Sequence, residues 1–309
     1  MKFSVVIPLY NGAPFIERTL DSVSAQTYKD FEVVLVNDES PDNVGEVVKG
    51  YIAAHPEVKF IYVEQKNKGL GGARNTAIRN ASGEIIAILD QDDIWYPDKL
   101  KKIAEVYGRD GAIDVVCHNC QVRREGKIVA TYFNGPTEDN MHRGLLFGGN
   151  RLATLATTFK RSLVDKVGYF SEDVKNLHLI EDYELWLRMA LLGCKFCFIP
   201  DVLAEYIQHQ KNYSLQKIDL MCRSELFVVD LHCTRLSDRV FLDHYRLRRR
   251  KARIFLNCAY QYLFFIHSYT KAFFFLIRAL GSDPLIAVVL FWKAVRKVGK
   301  EILMRGAKR

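Results

Sequence analysis

Short apolar runs at residues 3–8, 31–36, 58–63 and 85–89 alternate with stretches of helical periodicity, and that alternation restricts the fold more than any other feature. Strand, helix and strand in succession make right-handed βαβ units and a parallel sheet. Within the runs apolar residues are consecutive, as in Val5-Val6-Ile7-Pro8, so both faces of the sheet are expected to be covered. Between them, Ile16, Leu20 and Val23 share one face of a helix expected to start at Pro14, and residues 44–54 repeat the helical pattern. A glycine-rich loop and a helix from about residue 73 to 80 come next. After Pro97, Leu100, Ile103, Ala104 and Tyr107 fall at helical spacing. Glu125-Gly126 reads as a hairpin turn, so the later strands are expected to be mixed in direction. Gly193 is the expected cap of a last amphipathic helix.

The fourth run empties into acid: Ile88-Leu89-Asp90-Gln91-Asp92-Asp93. Carboxylate oxygens suit Mg²⁺ or Mn²⁺, and Mg²⁺ keeps coordination sites for water and substrate phosphates. Open α/β sheets bind ligands in the crevice beyond the carboxyl ends of their strands. The spacing therefore points to a metal-dependent enzyme acting on a phosphorylated substrate, with a solvated acidic turn as the alternative for an isolated motif of this kind.

At 309 residues the chain suits one large α/β domain with an appendage, and its 49% hydrophobic content suits a packed core. Residues 239–309 hold sixteen Lys or Arg against three acids, a balance of +13 in a chain of net charge +8, so residues 1–238 carry −5. We place the boundary at residue 215, with a large α/β domain over 1–215 and a basic, aromatic-rich helical region over 216–309. Apolar stretches at 254–280 and 285–292 are too interrupted to span a membrane, which takes about eighteen apolar residues. Basic clusters beside aromatic amphipathic helices suit an anionic membrane surface, with a helical cap on the catalytic body as the alternative. No signal-peptide pattern precedes the first strand, and a cytoplasmic location, peripheral on the membrane's cytoplasmic face, is expected. Cys117, Cys120, Cys194 and Cys197 form two C-x-x-C pairs on segments that read as strands, where residues three apart face opposite sides. Buried reduced thiols are expected there instead of zinc ligands.

Several motifs in order resemble the family 2 glycosyltransferases. They are Val5-Val6-Ile7-Pro8-Leu9-Tyr10-Asn11-Gly12, Val36-Asn37-Asp38-Glu39-Ser40 and Gly69-Leu70-Gly71-Gly72-Ala73-Arg74-Asn75, followed by Leu89-Asp90-Gln91-Asp92-Asp93 with Trp95, Pro97 and Leu100. Gly168-Tyr169-Phe170 and Glu181-Asp182-Tyr183-Glu184-Leu185-Trp186-Leu187-Arg188 complete the series, which covers about residues 3–215. The resemblance implies a GT-A fold, an α/β/α sandwich around a mostly parallel mixed sheet, and an inverting, nucleotide-sugar-dependent reaction. It implies nucleotide-sugar contacts at Pro8, Tyr10, Asn11, Asp38, Gly71, Arg74, Asp90 and Gln91. It also implies a base in the Glu181-Asp182 pair, assigned to Asp182 with Glu181 second, and Mn²⁺ or Mg²⁺ at Asp92.

Elementary chemistry supports several of these roles. Asp38 at a strand's carboxyl end can accept from the N–H of a uracil-like base, although Asp38 or Ser40 could equally cap the next helix. Gly69-x-Gly71-x-x-Arg74 lacks the third glycine of a dinucleotide fingerprint, so a nicotinamide enzyme is not expected. Arg74 offers a fixed cation to phosphates or to the Asp90 cluster. Asp93 is a second metal ligand or a turn cap. Glu181-Asp182 opens a helix whose dipole favours ionised carboxylates, the state a base requires. His209, in Tyr206-Ile207-Gln208-His209 before Ser214, resembles the family's Tyr-Arg-x-His element and can approach the metal, with Ile207 in place of the arginine. Trp95 and Trp186 suit sugar stacking or core packing.

The expected function is therefore transfer of a sugar from a nucleotide diphosphate sugar, a UDP-sugar first, to a hydroxyl. A lipid-linked oligosaccharide in cell-surface polysaccharide or lipopolysaccharide assembly fits the basic tail as acceptor. Transfer to polyprenyl phosphate is an alternative, with cations supplied by residues 246–253. A nucleic-acid-binding module with a silent α/β domain is disfavoured by the acidic body, and a nucleotidyltransferase by the lack of a basic glycine-rich triphosphate loop.

Overall fold

The computed structural model describes residues 1–209, 217–236, 241–264 and 266–289. The chain forms two compact units, one of Met1–Leu145, Asn150–Lys175 and Leu179–Asn212, the other of Leu146–Gly149, Asn176–His178 and Tyr213–Arg309.

The first unit is built on a nine-stranded mixed sheet of β1 (Phe3–Leu9), β2 (Phe31–Asp38), β3 (Lys59–Gln65), β4 (Ile85–Ile88), β5 (Ile94–Trp95), β6 (Val115–Arg124), β7 (Lys127–Tyr132), β8 (Thr157–Lys160) and β9 (Phe196–Gln208). Its order is β3-β2-β1-β4-β8-β6-β9-β5, with β7 paired to β6. The first four strands are parallel, β8 runs against both neighbours, and β6 and β9 run parallel to each other. Register is set by apolar pairs such as Val5 opposite Val33 and Ala87. All seven residues of β1 are buried, as expected for a strand covered on both faces. Burying a side chain such as Ile7 contributes about 1.5–3 kcal/mol.

The helices are α1 (Ile16–Ser24), α2 (Val44–Ala54), α3 (Gly69–Asn80), α4 (Lys99–Arg109), α5 (Met141–Gly148), α6 (Leu163–Val167) and α7 (Glu181–Leu191). α1 buries Ile16, Thr19, Leu20 and Val23, one stripe at helical spacing. It starts at Ile16, not Pro14, because the Phe15 and Ile16 N–H groups both return to the Gly12 carbonyl and make the preceding residues a turn. α3 likewise begins at Gly69, so the glycines expected to form a loop lie in the helix's first turn. Asn67 and Asp38 accept the N–H groups of Gly69 and Lys68, partners the helix itself lacks at its start. The hairpin is as expected: Glu125 (φ 49°) and Gly126 (φ 76°) are both left-handed, the signature of a type I′ turn.

The cysteines need one correction. Cys194 precedes β9 instead of lying in a strand, and the β6–β9 register is irregular from His118 to Cys120. Cys117 and Cys120 therefore do not simply alternate, and the thiols of both lie in the field of the buried Lys99. All seven cysteines are free thiols, and burial pushes Cys117 and Cys120 up to about 12.

The second unit contains α8 (Ile218–Thr234), α9 (Phe241–Phe264) and α10 (Tyr269–Ser282). Tyr262 stacks on Phe275 at 5.7 Å, and Asp219 accepts from Tyr262 and Lys271. The run at 246–253 is partly neutralised within the unit: Arg250, 3% exposed, pairs with Glu225, Lys251 with Asp230 at 2.6 Å, and Arg246 with Asp243 at 3.7 Å. Tyr269, Phe273, Ile277 and Leu280 form an exposed apolar stripe along α10. No described helix is long and apolar enough to cross a membrane. Ser214, residues 290–292 of the second apolar stretch and the basic residues beyond them lie outside the described residues.

Candidate active site

Parallel strands deliver their carboxyl ends to one edge of the sheet, and the residues after β1, β2, β4 and β9 meet there. After β1, Asn11 takes φ 55° and its N–H bonds to Ser40 Oγ at 2.8 Å. Gln91 clamps this loop, with Oε1 accepting from the Tyr10 N–H (3.0 Å) and Nε2 donating to the Tyr10 carbonyl (2.6 Å). A Cβ on Gly12 would meet Gln91 Oε1 at 1.9 Å, so a side chain there would displace the Gln91 amide from its clamp. Tyr10 and Asn11 are exposed beside the site, whereas Pro8 is buried in β1 opposite Val36. Gly71 is buried too, and its missing Cβ makes room for the Ser171 carbonyl, which a side chain would meet at 2.5 Å. The structure gives Pro8, Gly71 and Gln91 these scaffold contacts.

Asp38 at the end of β2 is 3% exposed, and its Oδ1 accepts from Gln65 Nε2 (2.6 Å) and the Lys68 N–H (2.9 Å). It thus supports the start of α3 instead of capping its own helix.

The turn after β4 separates its carboxylates into different surroundings. Asp90 bonds to Arg74 Nη2 at 2.8 Å with a third of its side chain exposed. Asp92 Oδ2 lies 3.0 Å from His209 Nε2, each side chain 20% exposed, and the imidazole stacks on Phe15 at 4.4 Å. Asp93 turns inward: it is 1% exposed and accepts the Ile207 N–H at 2.9 Å. Burial, reinforced by the charges of Asp92 and Asp90, pushes Asp93 well above the usual carboxylate range. Of the two roles open to Asp93, this bond and its burial favour the structural one.

Asp92 and His209 fit Mn²⁺ or Mg²⁺ as an oxygen and an imidazole donor held 3.0 Å apart, the oxygen from the turn that also carries Asp90. Among the described residues no three His, Cys, Asp or Glu side chains are grouped to hold a metal unaided. A substrate diphosphate and water would have to complete the coordination, as is usual for Mg²⁺ at phosphate-transferring sites.

Across the crevice, α3 and α7 bring Arg74 between three carboxylates. Its Nη1 donates to Glu181 Oε1 and its Nη2 to Asp90 Oδ1, both at 2.8 Å, and the guanidinium lies over the Phe170 ring at 5.5 Å. One cation for Asp90, Glu181 and Asp182 leaves the cluster with excess negative charge. Burial pushes Glu181 up to about 7 against the pull of Arg74. Asp182, less buried, is also raised by burial, opposed by Arg74, by Thr154 and by its bond from the Tyr183 N–H. The expectation that the helix dipole alone governs these carboxylates is therefore incomplete, since desolvation is the larger influence. Thr154 Oγ1 donates to Asp182 Oδ2 at 2.5 Å, and the Tyr183 N–H to Oδ1 at 2.6 Å.

The remaining motif residues build this frame. Asn75 pairs with the backbone of Phe170 through both amide atoms (2.8 and 2.9 Å), and Arg188 bonds the Gly168 and Tyr169 carbonyls (3.0 and 2.7 Å). Trp95 and Trp186 are 2% and 0% exposed, which makes them core residues. Sequence reasoning missed Thr154 and Phe15, which reach the site from distant segments and carry no motif of their own. It saw Arg74 but not its second partner, Glu181, more than a hundred residues away.

Comparisons with known proteins agree with this geometry. The chain matches Glycosyl transferase family 2 over residues 4–162 and Glycosyl transferase family group 2 over residues 85–298. It is 42% identical over 217 residues to an uncharacterized glycosyltransferase of Nostoc sp., covering 69% of this chain and 66% of that one. Over 214 residues it is 30% identical to the amylovoran biosynthesis glycosyltransferase AmsB of Erwinia amylovora, covering 67% of this chain and 69% of the relative. Chondroitin synthase of Escherichia coli is 30% identical over 237 residues, 76% of this chain but only 33% of that protein. Among solved structures, S. aureus TarS 1-349 in complex with UDP-GlcNAc gives a TM-score of 0.62 at 18% identity, covering 94% of this chain and 84% of that one. Mannosyltransferase PcManGT from Pyrobaculum calidifontis, in complex with GDP-Man and Mn²⁺, gives 0.61 at 22% identity, covering 96% and 79%. The fold is GT-A.

Proposed function

This chain belongs to glycosyl transferase family 2, and from that premise we propose an inverting transfer of a sugar from a nucleotide diphosphate sugar, a UDP-sugar first, to the hydroxyl of a glycan or lipid-linked acceptor. The observation that carries the reading is the gathering at one sheet edge of a donor-side set, Asp90, Asp92 and His209, and of an acceptor-side pair, Glu181 and Asp182, with Arg74 bonded to Asp90 on one hand and Glu181 on the other. Tyr10, Asn11 and Asp38 line the nucleotide side, with Asp38 accepting from the base.

Asp92 and His209 would hold Mn²⁺ or Mg²⁺, and the bound ion would supply Lewis-acid neutralisation of the departing diphosphate. Asp182 takes the proton of the acceptor hydroxyl as that oxygen forms its bond to the anomeric carbon. The bond from the same carbon to the diphosphate oxygen breaks on the opposite face, and its electron pair leaves with the nucleoside diphosphate. Arg74 holds Asp90 and Glu181 in place throughout, so the charge around the base is fixed before reaction.

A polysaccharide product is supported by the chondroitin synthase and amylovoran relatives, and both UDP and GDP sugars occur in proteins of this fold. We further assign the transferase activity to residues 1–215, and to 216–309 a helical region that rests on a membrane surface where the acceptor is presented. The exposed stripe Tyr269, Phe273, Ile277 and Leu280 supports that placement.

The test is release of nucleoside diphosphate from UDP-, GDP- and dTDP-sugars in the presence of candidate acceptors, with Mn²⁺ or EDTA. Metal-dependent release from one donor is expected; turnover insensitive to EDTA would refute the metal assignment, and no turnover of any donor the transferase reading.

A further inference from the structure

Asp182 is held by a residue that no motif contains. The short 3₁₀ turn Thr154–Ala156 precedes β8 and carries Thr154 against the carboxylate, Oγ1 to Oδ2 at 2.5 Å. That turn is anchored from below with unusual firmness. The Leu155 carbonyl accepts two hydrogen bonds, from Trp95 Nε1 at 3.0 Å and from Lys99 Nζ at 2.6 Å, and Trp95 and Lys99 are both fully buried. The Lys99 ammonium position lies 3.5 Å from the centre of the Trp95 ring. On the near side, Asn134 Oδ1 accepts the Ala153 N–H at 3.0 Å, and Thr157 Oγ1 donates to the Ala153 carbonyl at 2.8 Å. Four side chains thus fix the backbone on either side of Thr154, while Thr154 itself is half-buried and spends its one hydroxyl proton on Asp182.

We propose that Thr154 is the positioning residue of the base: its hydroxyl fixes the Asp182 rotamer and favours the ionised carboxylate, on a turn locked by Trp95 and Lys99. The inference rests on the reading of Asp182 as the base. With Oδ1 already taken by the Tyr183 N–H at 2.6 Å, the Thr154 bond sets the remaining rotation of the carboxylate and leaves its unshared lone pairs for the acceptor. The charged groups facing Asp182 are Arg74 from α3, Glu181 from its own helix and Asp90 from the turn after β4. Arg74 hydrogen-bonds both other acids and reaches Asp182 through its field, so the hydroxyl is the side-chain donor bonded to Asp182.

The experiment is the pH profile of kcat/KM for Thr154→Val, Thr154→Ala, Thr154→Ser and Asp182→Asn. Valine keeps the branched shape without the donor; alanine removes the hydroxyl without asking the site to hold an apolar branch, and it carries the test should the valine chain not fold. Both are expected to move the acidic limb up by about one pH unit, lowering kcat/KM about tenfold on that limb, with the donor KM unchanged. Serine is expected to restore the wild-type limb. A valine or alanine profile that coincides with wild type, or a serine variant as impaired as alanine, overturns the role of Thr154 while Asp182→Asn stays inactive. Wild-type activity in Asp182→Asn overturns the base assignment itself, and the positioning role with it.

Discussion

Glu32 and Glu181 are carboxylates with 0% and 4% exposure, yet the two edges of the sheet drive them in opposite directions. At the amino edge, Glu32 accepts from Lys2, Lys59, the Ser4 hydroxyl and both the hydroxyl and N–H of Ser82, at 2.6–2.9 Å. Burial alone would raise it, but these donors hold it far below the usual carboxylate range. At the carboxyl edge the ratio is reversed: Arg74 serves Asp90 and Glu181 and lies in the field of Asp182, and burial pushes Glu181 up to about 7. One edge has more donors than the charge needs and behaves as a structural clasp. The other has more charge than donors, an arrangement that is costly unless a cationic or proton-donating ligand completes it.

The comparison breaks most visibly at Asp182. Asp182→Asn is expected to lower kcat by about 10²–10⁴-fold with little change in the thermal midpoint, measured by donor turnover and calorimetry side by side. An equally large loss of stability would make Asp182 a member of the clasp class.

Removing Arg74 should hurt the fold itself, because Arg74→Met leaves buried carboxylates uncompensated at a cost of about 3–5 kcal/mol in denaturant titrations. The pH dependence has a definite sign. Glu181, raised from 4.5 to about 7, binds more protons folded than unfolded across that window, so its contribution to stability falls as pH rises through it. Arg74→Met should steepen the fall between pH 5 and pH 8; an unchanged slope would show that Arg74 does not govern these acids.

Glu32 should respond in the opposite sense. Its folded value lies below the unfolded one, so its stabilisation is complete above about pH 4.5 and is lost as pH falls toward the folded value. Glu32→Gln is expected to cost about 2–3 kcal/mol at pH 7, to flatten the acid limb of the urea midpoint, and to leave kcat unaltered. The smallest effect is expected at Asp93. Because it is buried and bonded to the Ile207 N–H, Asp93→Asn should change nucleotide affinity in Mn²⁺ by less than about threefold, by calorimetry, while Asp92→Asn loses the metal's contribution.

Much of the carboxyl edge was legible in the sequence because its parts are strand ends and helix starts, which periodicity locates. Asp38, Asp90, Asp92 and the Glu181-Asp182 pair all lie where the strand and helix pattern puts them. The resemblance anticipated His209 near Asp92, but other partners were not legible because they come from elsewhere: Thr154 to Asp182 and Arg74 to Glu181 cross 28 and 107 residues. Asp92 and Asp93 are neighbours in sequence, and only the turn of the chain sends one to the crevice and the other to β9. Glycine placement misled for a similar reason. Gly71 is required by the approach of Ser171, a residue a hundred positions on, which the sequence pattern does not reveal. The basic tail gave its charge but not its pairing, since Glu225 and Asp230, which neutralise Arg250 and Lys251, lie on another helix.

The most direct test of the divided carboxyl edge is calorimetric titration with the nucleoside diphosphate of the active donor, in Mn²⁺ and in EDTA, for wild type, Asp92→Ala and Asp182→Asn. Mn²⁺ should tighten binding in wild type and Asp182→Asn and have no effect in Asp92→Ala. The same metal response in all three proteins would contradict the account.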